Sequence, residues 1–242
     1  MTNLPITVSY FSSGVSSAVA TKLAIDQIDR IMYTHINDHH QDTLRFVADC
    51  EQWFGKTVEI CQSRFKDVDT VCRYNKFIRS PKTGAVCTKH LKRLVRKKFE
   101  NENKGKLRIV WGLDCTEHDR AYIIMANMPD HEHLFPLIDR NISKSVAHQI
   151  LKSSGIKRPA MYDLGYNNNN CIGCVRGGVG YWNKIRVDFP EVFKSRSGME
   201  RDIGFPILGS KYGWLDELDH ERGRHTPPIL DDCGLFCEMM AI

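Results

Sequence analysis

The chain has 242 residues, of which 42% are apolar and 26% are charged. This composition is typical of globular proteins and excludes a disordered, collagenous or fibrous chain. Lys and Arg outnumber Asp and Glu by 34 to 29, a mild formal excess of +5 that suits an anionic ligand such as a nucleotide. No apolar run approaches the ~18 residues of a membrane span, and no signal-peptide pattern is present. We therefore expect a cytoplasmic protein with no membrane partner.

Strands and helices alternate along the predicted fold. Strands are predicted at 6–11, 31–36, 57–61 and 107–112. Helices are predicted at 15–28, from about 42 to a cap at Gly55, and at about 87–103. This alternation predicts the α/β class, with a parallel twisted sheet that carries helices on both faces.

The composition of the chain changes near Pro159. Beyond it Gly, Asn and Cys become more frequent, and no repeat or low-complexity linker separates the two parts. The simplest organisation is an α/β domain over residues 1–160 with a Cys-bearing C-terminal segment, residues 161–242, packed on it.

The turn after the first predicted strand has the composition of an anion-binding loop, Ser12-Ser13-Gly14-Val15-Ser16-Ser17. Backbone N–H groups, serine hydroxyls and the positive end of the following helix dipole would converge there on an anion. A plain strand-to-helix turn with a serine cap is the alternative, and the spacing alone leaves both open.

This loop resembles the PP-loop of ATP pyrophosphatases and phosphoadenylyl-sulfate (PAPS) reductases, whose usual form is Ser-Gly-Gly-x-Asp-Ser. Ser13 stands in place of the first Gly, and Ser16 stands in place of the Asp that helps ATP-cleaving members to hold metal and phosphate. Further segments follow the family order: Tyr33–Asp38 with Asp42-Thr43, Cys87–Lys92, Trp111–Arg120, Phe135–Leu137, Gly155-Ile156 and Pro159–Tyr162. The resemblance covers nearly the whole chain and implies a fold like that of the adenine nucleotide alpha hydrolases.

The same resemblance implies a site for an adenine nucleotide, which is PAPS, adenylyl sulfate (APS) or ATP, with or without Mg²⁺. Lys89 and Lys92 would neutralise phosphate or sulfate as point charges. The implied nucleotide-binding residues are Ser12, Ser13, Gly14, Ser16, Ser17, Asn37, Asp38, Lys89, Lys92, Gly112, Glu117 and Arg120.

Nine cysteines in a chain without a secretory signal argue against a disulfide framework. Two close pairs, Cys171/Cys174 and Cys233/Cys237, have the spacing of a Cys₄ zinc site or an iron–sulfur cluster, with free thiols or a redox couple as the alternative. The family resemblance adds Cys87, which precedes Cys171 by nearly the gap seen in cluster-bearing reductases. The implied metal ligands are therefore Cys87, Cys171, Cys174, Cys233 and Cys237, and a [4Fe–4S] cluster is preferred to Zn²⁺.

The segment around Cys233 also resembles the C-terminal Glu-Cys-Gly-x-His tail of the reductases, whose cysteine attacks the sulfur of the substrate's sulfate. The resemblance implies Cys233 as the catalytic nucleophile, and its role as a metal ligand is the alternative. Asp232 replaces the Glu of this tail, and Phe236 replaces the His that would lower the pKa of the thiol.

The expected activity is that of a PAPS reductase-like oxidoreductase, which reduces an adenylyl sulfate with a thioredoxin-like thiol reductant. An ATP-dependent, Fe–S-dependent sulfurtransferase that modifies tRNA or DNA is one alternative: the basic run 89–98 favours it, and the missing Asp at Ser16 opposes it. A non-catalytic nucleotide-binding module is the other. A homodimer is compatible with all three.

Overall fold

The fold is known from a computed structural model, which describes residues 5–103 and 106–223. Its strands are β1 (Ile6–Tyr10), β2 (Arg30–His35), β3 (Val58–Gln62), β4 (Arg79–Ser80), β5 (Gly84–Ala85), β6 (Leu107–Val110) and β7 (Glu132–Leu134). Its helices are α1 (Val15–Leu23), α2 (Thr43–Phe54), α3 (Val68–Asn75), α4 (Leu94–Glu102), α5 (His118–Asn127), α6 (Pro136–Asp139), α7 (Lys144–Ser153), α8 (Ala160–Asp163), α9 (Val179–Asp188) and α10 (Pro190–Ile203). A π-helical segment, Thr88–Arg93, leads directly into α4.

Each strand and helix predicted from the sequence is found, with small shifts at the ends. Helix α2 ends at Gly55, whose φ of +68° is the left-handed cap conformation that glycine adopts without steric cost. Helix α1 stops at Leu23, five residues before the predicted end at Ile28. Ile28 is nevertheless buried, so its apolar character extended the helical pattern beyond the helix.

The main sheet has five strands in the order β3-β2-β1-β6-β7. Strand β1 lies at its centre and pairs in parallel with β2 on one side and with β6 on the other, and β6 pairs in parallel with β7. Val8 on β1 lies opposite Arg30 on β2 and Ile109 on β6. The parallel sheet predicted from the alternating elements is confirmed.

Helices cover both faces of this sheet. Successive residues of a strand point to opposite faces. The hydroxyl of Ser9 on β1 lies 2.7 Å from that of Thr21 on α1, whereas the ring of the next residue, Tyr10, contacts Phe99 on α4 edge to face. Helices α1 and α4 therefore lie on opposite sides, which confirms the predicted α/β class.

The chain forms two compact units, each made of several stretches of sequence. The first unit carries the sheet and comprises, within the described residues, 5–35, 41–61, 96–103 and 106–163. The second comprises 36–40, 62–95 and 164–223. The last change of unit, after Asp163, lies near the boundary expected at 160, but residues 36–40 and 62–95 also belong to the second unit.

The second unit contains the β4–β5 hairpin, α3, the π-helical segment, α9 and α10. Trp182 on α9 is fully buried, and Glu200 on α10 is buried with its carboxylate accepting the backbone N–H groups of Ile207 and Leu215. Among the described helices, none combines the length and the apolar composition needed to cross a bilayer.

Candidate functional site

The candidate phosphate site lies where the strand order of the sheet changes direction. From β1 the chain adds β2 and β3 on one side, and it then crosses over to add β6 and β7 on the other. In open parallel sheets, ligands bind at the carboxyl ends of the strands at such a switch point. The loops that follow β1 and β6 meet there, and they contain Ser12–Ser17 and Gly112–Glu117 respectively.

The Ser12–Ser17 loop forms a tight turn that opens α1. Ser13 is fully buried and has a φ of +58°, in the left-handed region that favours glycine, at the position where the PP-loop usually has Gly. Its hydroxyl donates to the Ser12 carbonyl at 2.5 Å, and the Ser12 N–H donates to the Ser17 hydroxyl at 3.0 Å. Gly14 is the N-cap of α1 and has an extended backbone.

Gly112 brings the second loop against the first. A Cβ at this position would lie 2.6 Å from the Cα of Ser17 and 2.9 Å from its backbone nitrogen. These are backbone atoms in the first turn of α1, so they have little freedom to move away. Only glycine therefore permits the loop after β6 to approach the helix N-terminus this closely.

The first turn of α1 has a further contact that the sequence did not indicate. The Val15 N–H donates to the hydroxyl of Tyr162 at 3.3 Å, which satisfies one of the amides left open at a helix N-terminus. Tyr162 lies in the Pro159–Tyr162 segment that follows the family order. Its position in that segment is the feature of the sequence that could have indicated a contact with the Ser12–Ser17 loop.

Glu117 and Arg120 form a half-buried ion pair at the start of α5. The Glu117 carboxylate also accepts the Asp114 N–H at 2.9 Å, while the Asp114 carboxylate accepts the Thr116 N–H at 2.9 Å. Burial raises the pKa of Glu117, and the nearby Arg120 charge opposes that rise. This network orients the Arg120 guanidinium beside the loop that carries Gly112.

The remaining residues predicted to bind nucleotide, Asn37, Asp38, Lys89 and Lys92, belong to the second unit. Asn37 is exposed and accepts from the Gln62 side chain at 3.1 Å. Lys89 is exposed, and Lys92 is half-buried in the π-helical segment. Segments of this kind occur often at functional sites.

Asp38 makes an internal ion pair with Arg196 on α10, a residue that the sequence analysis did not single out. Arg196 has only 3% of its side chain exposed, and the second oxygen of Asp38 accepts the Val68 N–H at 2.7 Å. The carboxylate thus ties α10 to the start of α3. No local pattern in the sequence marks Arg196, because its partner lies 158 positions away in the chain.

Three of the predicted metal ligands line one small cavity within the second unit. Cys87, Cys171 and Cys174 are all buried, and the space between them and Lys92 holds about one water molecule. The other lining residues are Ile36, Val68, Thr88, Leu91 and Val175.

The hydroxyl of the buried Tyr181 fixes the turn between Cys171 and Cys174. It accepts the Cys174 N–H at 2.9 Å and lies 3.3 Å from the Cys171 carbonyl, to which it donates. Gly173 within the turn has a φ of +70°, and a Cβ there would lie 2.6 Å from the Val192 side chain on α10. The turn is therefore held between α9 and α10.

Soft thiol donors on one cavity suit an iron–sulfur cluster or zinc. Within residues 5–103 and 106–223, however, no three His, Cys, Asp or Glu side chains are grouped closely enough to hold a metal ion. The predicted ligands Cys233 and Cys237, and with them the predicted nucleophile, lie outside the described residues.

No protein-family model and no curated protein matches this sequence. Among solved structures, the chain is similar to a phosphoadenylyl-sulfate (PAPS) reductase from Candida auris in complex with phosphate. The TM-score is 0.51 at 10% sequence identity, and the match covers 70% of this chain and 82% of the reductase. The chain therefore has a PAPS reductase-like fold, and the resemblance identified from its sequence is confirmed at that level.

Proposed function

We propose that this chain binds an adenine nucleotide with its phosphate or sulfate end at the Ser12–Ser17 loop, and that it reduces an adenylyl sulfate in a thiol-dependent reaction. The observation that carries the proposal is the meeting of two loops at the switch point of a PAPS reductase-like sheet, where Gly112 packs on the first turn of α1. The similar solved structure is a complex with phosphate, which supports the binding of an anion by this fold.

In the proposed reaction, the Cys233 thiolate attacks the sulfur of the adenylyl sulfate. The S–O bond to the nucleotide breaks, the nucleotide leaves as a phosphate, and the cysteine carries an S-sulfonate. A dithiol reductant of the thioredoxin class then attacks the cysteine sulfur and releases sulfite. The reductant ends as a disulfide, so its two thiols supply the two electrons of the reduction.

The test separates binding from turnover. Sulfite release from PAPS and from APS is measured with a dithiol reductant, and nucleotide affinity is measured by calorimetry. We expect Cys233→Ser to abolish sulfite release and to leave affinity within about twofold of the wild type. Cys61→Ser, at a half-buried thiol outside the proposed site, is the matched control and should retain both. Sulfite release by Cys233→Ser at the wild-type rate would refute the assignment of Cys233 as the nucleophile.

We further propose that Cys87, Cys171 and Cys174 hold a [4Fe–4S] cluster or Zn²⁺ together with a fourth cysteine, which is Cys237 if Cys233 is the nucleophile and Cys233 or Cys237 otherwise. The shared cavity of the first three supports this set, although metal binding would have to bring their thiols closer together than they lie in the structure. A bound cluster would supply redox or sulfur chemistry, whereas zinc would be structural. Iron, sulfide and zinc are quantified per chain after anaerobic purification, and Cys171→Ala should lose the metal while Cys50→Ala retains it.

An ATP-dependent sulfurtransferase is the second candidate, because three thiols share one cavity with Lys92. It predicts release of pyrophosphate from ATP only when a nucleic acid acceptor is present. Sulfite release without an acceptor favours the reductase instead. If the protein binds nucleotide and neither product forms, the non-catalytic module is favoured.

A further inference from the structure

Positive charge is concentrated in one stretch of the second unit, residues 62–95. The stretch has nine Lys or Arg and two Asp, a formal charge of +7, whereas the whole chain carries +5 and the remainder therefore −2. Its basic residues are Arg64, Lys66, Arg73, Lys76, Arg79, Lys82, Lys89, Lys92 and Arg93.

The two acidic residues of the stretch are committed to local contacts. Asp67 caps α3 by accepting the Thr70 N–H at 2.7 Å, and Asp69 accepts from the Arg73 guanidinium at 2.5 Å. Five exposed cations of the stretch have no ion-pair partner among the residues that the structure describes: Arg64, Lys66, Lys76, Lys82 and Lys89. Their charge is therefore available to an external anion.

An aromatic cluster lies among these cations. The Arg64 guanidinium lies 4.5 Å from the ring centroid of Phe65 and 5.5 Å from that of Tyr74. The Phe65 ring contacts the Tyr74 ring at 5.1 Å and the His90 ring at 5.3 Å. Phe65 is buried, whereas Tyr74 is 68% exposed. We call Arg64, Phe65, Tyr74 and His90 the cation–aromatic cluster.

The electrostatic field at this cluster is positive. The pKa of His90 is lowered by its partial burial and then by the neighbouring charges of Lys89 and Arg64. The lowered pKa favours the neutral imidazole, and in this form His90 can stack as an aromatic ring.

We propose that the cation–aromatic cluster, with Lys66 beside Phe65 in the chain and Lys76 at the C-cap of α3, is a binding surface for single-stranded nucleic acid. A base would stack on the exposed Tyr74 ring, and the flanking cations would neutralise backbone phosphates. A duplex keeps its base faces internal and offers no partner for Tyr74. The proposal does not depend on the proposed nucleotide site, because none of these six residues belongs to the set predicted to bind the nucleotide.

Fluorescence anisotropy with labelled oligo(U) and oligo(dT) of about 20 nucleotides tests the proposal, with a duplex of equal length as the comparison. Tyr74→Ala should weaken binding to the single strands about tenfold. Lys76→Gln should weaken it and lower the slope of log Kd against log salt by about 1. A preference for oligo(U) or oligo(dT) identifies RNA or DNA as the partner.

Matched controls lie in the first unit. Tyr122 is 71% exposed on α5, and Lys152 is exposed on α7, so Tyr122→Ala and Lys152→Gln should bind like the wild type. The proposal is overturned if the wild type does not bind at about 50 mM salt. It is also overturned if Tyr74→Ala binds like the wild type, or if Tyr122→Ala loses as much affinity.

Urea unfolding and adenine-nucleotide affinity of Tyr74→Ala are measured alongside. Unchanged values show that the variant is folded and that a loss of single-strand binding is specific to this surface. A loss of single-strand binding in Tyr74→Ala supports the proposed nucleic acid surface whether or not the protein binds an adenine nucleotide. The two proposals can therefore be refuted independently.

Discussion

At the scale of single residues, Gly112 determines how closely the two loops of the candidate phosphate site approach. We expect Gly112→Ala to lower the free energy of unfolding by about 1–3 kcal/mol, because the added Cβ meets backbone atoms of Ser17. The displaced helix N-terminus should also bind nucleotide more weakly. Both effects are measured by urea unfolding and by calorimetry.

Gly198 on α10 is the matched control, since a Cβ there meets nothing within 4 Å. Gly198→Ala should raise the free energy of unfolding by about 1 kcal/mol through helix propensity. Equal stability changes in the two variants would contradict the close approach at Gly112.

His148 gives the first unit a specific dependence on pH. Burial, followed by the charges of Arg158 and Lys144, lowers the pKa of His148 to about 4, and its ring lies 4.7 Å from that of Tyr162. Below pH 6.5 the unfolded chain binds a proton at His148 that the folded state excludes. The free energy of unfolding is therefore highest above pH 6.5, as far as His148 contributes to it, and it decreases as the pH drops towards 4. The free energy of unfolding should decrease by about 2–3 kcal/mol between pH 6.5 and 4.

Urea unfolding at several pH values checks this prediction. His148→Gln cannot bind the proton, so its stability should fall less than that of the wild type between pH 6.5 and 4. Parallel losses in the two proteins would contradict a lowered pKa at His148.

At the scale of elements, the buried pair of Asp38 and Arg196 joins α10 to the loop after β2. Removing one partner leaves the other charge buried alone, so we expect Arg196→Met to lower the free energy of unfolding by about 3–5 kcal/mol. The double variant Asp38→Asn with Arg196→Met should recover part of that loss. Arg73→Met removes an exposed pair on α3 and should change stability by less than about 1 kcal/mol. A similar loss in both single variants would refute the role of the buried pair.

At the scale of the whole molecule, all three described metal-ligand candidates lie in the second unit. If these cysteines hold a metal, removal of the metal should destabilise the second unit selectively. The reason is that metal binding stabilises the part of the chain that supplies the ligands. Hydrogen exchange of the metal-loaded and chelator-treated protein should therefore differ in 36–40, 62–95 and 164–223. Faster exchange throughout 5–35 and 106–163 as well would contradict a site confined to the second unit.

Much of the fold could be predicted because its signals are local. The strand–loop–helix pattern at 6–28, the cap at Gly55 and the alternation of strands with helices each depend on residues close in the chain. The β4–β5 hairpin was not predicted, since two-residue strands are too short to show a pattern. The pairing of Asp38 with Arg196 was not predicted either, because their separation of 158 positions leaves no periodic trace.

By itself the sequence determined the α/β class, and it predicted the loop at Ser12–Ser17 and five candidate ligand cysteines, because residue chemistry and short-range periodicity can be read along the chain. Only the tertiary structure decided which segments share a unit. It brought 36–40, 62–95 and 164–223 together, gathered Cys87 with Cys171 and Cys174, and placed Arg64 over the Tyr74 ring. Such contacts depend on long-range packing, in which the burial of apolar surface selects among many pairings that the local sequence allows equally.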